Sequence, residues 1–208
     1  MPGAAAFDDI HASIAHYYTR KAVRHGATPA GVDWLCGASQ QLRYAQLLTI
    51  ADSNAAFSLN DLGCGYGAAL PALAKFHPGA AVDYLGVDLC DEMVRLATTL
   101  WGGRFVVAAV SPRVADYSIA SGIFNVKLEH STARWERLIA STLDDLAATS
   151  RLGFAVNLLG PDRSGIPQLY RTPPEPWIRY CEQLGSTTLL SGYGLGEFTL
   201  CVSAPGGR

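Results

Sequence analysis

The chain has 208 residues, 49% of them hydrophobic and 16% charged, which is enough to build one substantial core. With 16 basic and 18 acidic side chains the net charge is −2, and this argues against an extended electrostatic surface for nucleic acid. No apolar run reaches bilayer-spanning length, so no membrane segment is expected.

The N-terminus, "MPGAAAFDDIHAS", lacks a basic region leading into an apolar one and does not read as a secretory signal. Five scattered cysteines (Cys36, Cys64, Cys90, Cys181 and Cys201) never fall in C-x-x-C spacing. Neither a disulfide framework nor a structural zinc site is expected, and a reducing cytoplasm is the simplest home.

The first elements are helical. "FDDIHASIAHYYTRKAV" carries apolar and aromatic residues at helical spacing, "RHGATPAGVDW" reads as a loop, and "SQQLRYAQLLTIA" as a second amphipathic helix with Ser39 at its N-cap. From there strands and helices alternate. "AFSLNDLG", "AVDYLGVDL", "RFVVAAV", "ADYSIASGIF" and "GFAVNLL" read as strands, and "GAALPALAKF", "DEMVRLATTLW" and "ARWERLIASTLDDLAATS" as helices. A helix over "PEPWIRYCEQLG" precedes two strands around a glycine-rich connection, which predicts an antiparallel pair. The sum is a single α/β domain over residues 1–208, with a helical cap over 1–55 and a Rossmann-like core over 56–208. The core is a doubly wound, seven-stranded mixed sheet, mostly parallel and closed by the C-terminal antiparallel hairpin.

In such a sheet the loop after the first strand is the place to expect a ligand. Here it is "NDLGCGYGAAL", with Gly63, Gly65 and Gly67 alternating. Glycine lets the chain turn sharply and leaves no Cβ between backbone and ligand, and the next helix adds oriented N–H groups. A dinucleotide fingerprint runs G-x-G-x-x-G, whereas these glycines run G-x-G-x-G with Asp61 two residues ahead. Asp88 ends the second strand in "YLGVDL", where a carboxylate can accept two hydrogen bonds from a ribose diol. NAD and S-adenosylmethionine sites share that geometry, so the acid alone does not separate them.

"DLGCGYG" followed by "YLGVDLCDEMVRLA" closely resembles the first two motifs of the class I S-adenosylmethionine-dependent methyltransferases, D-x-G-x-G-x-G and G-x-D-x-S-x-x-M. The resemblance runs from about residue 25 through "ADYSIASGIFNVKL", "GFAVNLL" and "GYGLGEFTL", and it looks like a branch of small bacterial members. It implies S-adenosylmethionine as cofactor. Gly63, Gly65 and Gly67 would then pack under its methionine and ribose, with Asp61 orienting the loop or receiving the amino group. Asp88 would bind the ribose hydroxyls and Leu89 line the adenine face. Cys90 replaces the usual small hydroxyl residue. The stretch after the third strand, "VVAAVSP", lacks the acidic or amide residue often found near the adenine amino group, which leaves backbone groups around Ala109 and Val110 for that task. In related small-molecule enzymes an arginine placed like Arg43, on the helix that also carries Gln40, meets the cofactor carboxylate, for which a guanidinium fork is suited.

Methyl transfer from a sulfonium is an in-line displacement in which positioning supplies much of the acceleration. The segment Ser121–Asn125, "SGIFN", should border the transferring methyl, with Ser121 on the cofactor side and Phe124 and Asn125 facing substrate. Ser121 and Asn125 can equally well be satisfying loop backbone groups. No catalytic residue declares itself; Asn125, His25 and Tyr193 are the candidates, and Glu197 is expected to reach the site with Tyr193 from the final hairpin. Trp34, Asn157 and Tyr170 join Phe124 and Asn125 as candidate substrate contacts. The loop "GPDRSGIPQLYRTPPEP", with Arg163 and Arg171, has the make-up of a lid. No N-P-P-Y sequence follows the fourth strand, no cysteine stands there for 5-methylcytosine chemistry, and no residue grouping suggests a metal. The expected partner is a small molecule receiving the methyl on O, N or a carboxylate. A regulatory S-adenosylmethionine-binding protein and a methyltransferase acting on protein or RNA are the alternatives.

Overall fold

Seven strands, six α-helices and three short 3₁₀ helices make up the regular structure of the described residues, 4–51, 55–162 and 165–205, in a computed structural model. After two N-terminal helices, α1 (Asp8–His25) and α2 (Gly37–Leu47), the alternation begins with β1 (Phe57–Leu62), α3 (Ala69–Phe76), β2 (Val82–Asp88) and α4 (Asp91–Trp101). Strands β3 (Phe105–Val107) and β4 (Ala115–Ala120) follow with no helix between them. Then come α5 (Thr132–Ala148), β5 (Ser150–Leu159), α6 (Glu175–Cys181), β6 (Ser186–Leu190) and β7 (Glu197–Ser203).

The strand order is β3-β2-β1-β4-β5-β7-β6. Strands β1 to β5 pair in parallel, and β7 runs antiparallel to both of its neighbours. The expected seven-stranded mixed sheet is therefore present, and the closing hairpin folds back so that the last strand, not β6, lies against β5. The order reverses direction between β1 and β4, which puts the topological switch point directly beside the glycine loop.

Side-chain alternation splits the core in two, as period-two strands buried on both faces require. Leu62, Val87, Ala120, Phe154, Val156 and Leu200 belong to the core that carries α5 and α6. Leu59, Tyr84, Ile119, Ala155 and Cys201 face the opposite core, with α2 and α3. Phe7, Ile10 and Ile14 also join the first core, beside Leu85, Val87 and Val106 of β2 and β3. The start of α1 is tied to the start of α5, where Arg134 Nη1 donates to Asp9 Oδ2 at 2.6 Å and Ser13 Oγ lies 2.7 Å from His130 Nε2.

Two sequence expectations change here. Ser39 is not the N-cap of α2: the helix starts at Gly37 after an extended Cys36, and the Ser39 hydroxyl donates back to the Cys36 carbonyl at 2.9 Å from within the first turn. The segment read as a plain loop between α1 and α2 holds a 3₁₀ turn over Pro29–Val32.

Candidate functional site

At the carboxyl ends of the parallel strands lies a cavity of about 520 Å³, within the range of sites that hold a cofactor-sized ligand. Its floor comes from the glycine turn that leaves β1. Leaving β1, Gly63 and Cys64 both donate their backbone N–H to the Val87 carbonyl, at 2.7 and 3.1 Å, so the loop is tied to β2. Gly63 (φ +74°), Gly65 (φ +52°) and Gly67 (φ +83°) adopt left-handed backbone that a side chain would strain. Space is short as well: a Cβ on Gly63 would stand 2.1 Å from Ile123 Cγ2, and one on Gly67 2.7 Å from the Trp101 ring. Gly63 and Gly65 line the cavity, whereas Gly67 packs under Trp101 and helps only to shape the turn.

Asp88, at the end of β2, holds this loop in place. Its Oδ2 accepts the Gly65 N–H at 2.8 Å and its Oδ1 accepts the Cys90 N–H at 2.8 Å. Both bonds favour the ionised carboxylate while burial opposes it; burial prevails, and the group titrates above the usual carboxylate range. Each oxygen keeps a lone pair for a ligand. Leu89, Cys90 and Met93 continue the wall, and Ala108 and Ala109 close it from the end of β3.

Asp61 lies one layer lower, fully buried, outside the cavity lining. Its Oδ2 accepts the Tyr84 hydroxyl at 2.7 Å, its Oδ1 has no partner, and burial pushes its pKa up to about 7. Cys64 does line the cavity, but burial raises its thiol well above the ordinary value, which leaves it inert as a nucleophile.

The loop after β4 forms the opposite wall, with Ser121, Gly122, Ile123, Phe124 and Asn125 all contributing. Its backbone is pinned from three sides. Gly122 N–H donates to Asn157 Oδ1 at 2.8 Å, Trp135 Nε1 donates to the Phe124 carbonyl at 3.0 Å, and Tyr170 N–H donates to the Asn125 carbonyl at 2.8 Å. Ser121 Oγ and Asn125 Oδ1 are buried without partners, so neither side chain is spent on its own loop.

Arg43 is 5% exposed and sits beneath the Trp34 ring, its guanidinium carbon 3.1 Å from the ring centroid. The fork expected to meet a cofactor carboxylate is already engaged. Nε donates to Glu197 Oε1 at 2.5 Å and Nη2 donates to Oε2, which leaves only Nη1 unpartnered. Asn157 Nδ2 donates to the same carboxylate at 3.2 Å, so one chain of contacts joins Arg43, Glu197, Asn157 and Gly122.

Three expected contacts lie elsewhere. His25 ends α1 outside the cavity lining. Tyr170 is buried in the first core, donating to Glu136 and accepting from Trp177. Tyr193 shares a hydrogen bond of 2.9 Å with Thr199 and does not line the cavity. Asn157 acts from behind the Gly122 loop, and Arg163 lies outside the described residues. Of the candidate lid, Ile166, Leu169 and Arg171 border the cavity.

Sequence reading missed the roof. His11, Ile14, Ala15 and Tyr18 line the cavity from one face of α1, and Val32 joins them from the 3₁₀ turn. Their spacing of three, one and three residues was visible as an amphipathic stripe, but a stripe does not say whether it covers core or ligand. Desolvation lowers the His11 pKa, which keeps its imidazole neutral at neutral pH.

These residues fit S-adenosylmethionine. The wall has bare backbone at Gly63 and Gly65, a carboxylate at Asp88 that only backbone N–H groups partner, and an unpaired hydroxyl on Ser121. No family model matches the chain. It is 45% identical, over 155 residues, to the "Putative methyltransferase Rv1506c" of Mycobacterium tuberculosis, a match covering 70% of this chain and 92% of that protein. In fold it is similar to DhpI in complex with S-adenosylhomocysteine, at 16% identity and a TM-score of 0.60 over 94% of this chain and 98% of that one. It is also similar to the magnesium protoporphyrin IX methyltransferase of Synechocystis PCC 6803 with bound S-adenosylhomocysteine. There the identity is 18% and the TM-score 0.57, over 81% and 84% of the two chains. Taken together, the paired motifs, the sheet order and the methyltransferase relative make this chain a member of the class I S-adenosylmethionine-dependent methyltransferases.

Proposed function

We propose that the cavity binds S-adenosylmethionine between the glycine loop and α1 and directs methyl transfer to a small molecule. The observation that carries this reading is the Asp88–Gly65 clamp at the switch point, which borders the cavity. Gly63 and Gly65 would meet the methionine and ribose portion, Asp88 the ribose diol, and Leu89 and Ala109 the adenine. Ser121 would meet the methionine end, where its hydroxyl is unpaired. When bound, the cofactor supplies a methyl carbon activated by a positive sulfonium, which an acceptor lone pair attacks in line as the carbon–sulfur bond breaks.

The chain's own contribution is alignment. Asn157, Trp135 and Tyr170 hold the Gly122–Asn125 backbone rigid, and a loop fixed from three sides keeps an acceptor at attack distance with little further ordering. Burial of the site under α1 and the 3₁₀ turn excludes water from the reacting atoms. Asn125, with its unpaired Oδ1, is the residue best placed to orient an acceptor N–H or O–H.

Two observations support a small acceptor: a cavity of about 520 Å³ and the net charge of −2, which offers no broad surface for RNA. Incubating the protein with methyl-labelled S-adenosylmethionine and a bacterial extract tests this, with the extract split into low-mass, protein and RNA fractions. Label is expected in the low-mass fraction; label confined to protein or RNA overturns the small-molecule reading.

A further inference from the structure

Among the described residues, the cavity wall contains two fixed cations, and both are already neutralised from within the protein. Arg43 is paired bidentately with Glu197, whose carboxylate is itself fully buried. Arg171, on the lid side, is paired with Asp162 at 2.7 Å. A third potential cation, His11, is held neutral by desolvation. The wall's carboxylates are not balanced in this way. Asp33 is paired with Lys21 at 2.5 Å, but Asp88 is partnered by backbone N–H groups alone. The charge left over on the wall is therefore negative.

A negative surplus suits a sulfonium cofactor, which offsets it, and the internal pairing of Arg43 and Arg171 leaves an anionic acceptor no free side-chain cation to meet. An anion taken from water into this cavity would lose its hydration and find no uncompensated side-chain cation in return. What the acceptor half does provide is apolar surface from Val126, Leu159, Ile166, Leu169 and Leu195, together with unpaired hydrogen-bonding atoms on Asn125 and Arg43. Arg43 Nη1 calls for an acceptor atom and Asn125 Oδ1 for a donor, and neutral hydroxyl, carbonyl or amide groups satisfy both.

We infer that the methyl acceptor is a predominantly apolar molecule without negative charge, held through neutral hydrogen-bonding groups; carboxylates, phosphates and sulfates are rejected. The inference rests on the cavity's being the methyl-transfer site. It narrows the acceptor to O or N atoms of uncharged groups and removes the carboxylate from the expected acceptors. Glu197 becomes a specificity residue acting through Arg43: it determines whether that guanidinium presents a net charge.

The test is a binding series on one bicyclic scaffold, 2-naphthol, 2-naphthamide and 2-naphthoate, titrated calorimetrically into protein saturated with S-adenosylhomocysteine. The naphthol and naphthamide are expected to bind about tenfold tighter than the naphthoate, or more. Glu197→Gln, which leaves Arg43 uncompensated, is expected to shrink or reverse that ratio. Asp162→Asn does the same for the half-buried Arg171 on the lid side, and it keeps the test available should the buried variant fold poorly. Equal or tighter binding of naphthoate to the wild type overturns the inference, as does no binding by any of the three. A ratio unmoved in both variants also overturns it. The preceding S-adenosylhomocysteine titration reports on the cofactor site alone, so failure there is separable from failure of the charge argument.

Discussion

Arg43 and Glu197 form a buried, bidentate ion pair that joins α2 to the first residue of β7 across 154 positions of sequence. Breaking one side of such a pair strands a charge in the interior, whereas removing both sides does not. Arg43→Met and Glu197→Leu are each expected to cost about 3–5 kcal/mol, and the double variant less than either single one. Urea denaturation of the four proteins checks this. Additive losses would mean that the pair contributes no mutual compensation.

Asp61 makes stability depend on pH. Its folded pKa is raised to about 7 from the ordinary 3.8, so the native state binds the proton more tightly than the unfolded chain does. Stability contributed by the protonated form is complete below about pH 4, falls as pH rises toward 7 and levels off above it, by at most about 1.4 kcal/mol per unit. Asp61→Asn keeps an acceptor for the Tyr84 hydroxyl and cannot ionise. The variant is expected to match wild type near pH 4 and to exceed it at pH 8 in chemical denaturation. A wild-type advantage that grows with pH would contradict the assignment.

Gly63→Ala tests the floor of the cavity. The added methyl meets Ile123 and the backbone stays at φ +74°, so the expected loss of stability is about 1–3 kcal/mol. S-adenosylhomocysteine affinity should fall further than stability does, because the loop that strain would displace is the one that faces the cofactor. Thermal melts with and without the ligand separate the two effects: the ligand-induced shift should shrink or vanish. An undiminished shift would place the cofactor away from Gly63.

Much of the fold was legible because its signals are local. Leu59, Leu62, Val87 and Phe154 sit in short apolar strands bounded by glycine or acidic residues, and each strand lies where its pattern predicts. The insertion of β7 between β5 and β6 was not legible, since an antiparallel pair reads the same in either placement. In the site, the glycine loop and Asp88 announce themselves through spacing, and the structure brings them into contact. His11 and Tyr18 do not, because apolar helical spacing is common to every packed helix. Glu197 stayed ambiguous for a different reason: its partner lies 154 residues away, and spacing carries no information about such a pair. His25, Tyr170 and Tyr193 stand near turns, and residue type alone does not fix the direction of a side chain.

The central claim is that Asp88 and the glycine loop it clamps form the cofactor site, and calorimetric titration of S-adenosylhomocysteine into wild type and Asp88→Ala tests it most directly. Wild type should bind at a single site, and Asp88→Ala should bind about tenfold to a hundredfold more weakly or not at all, with a melting transition still present. Unchanged affinity in a folded Asp88→Ala protein would contradict it.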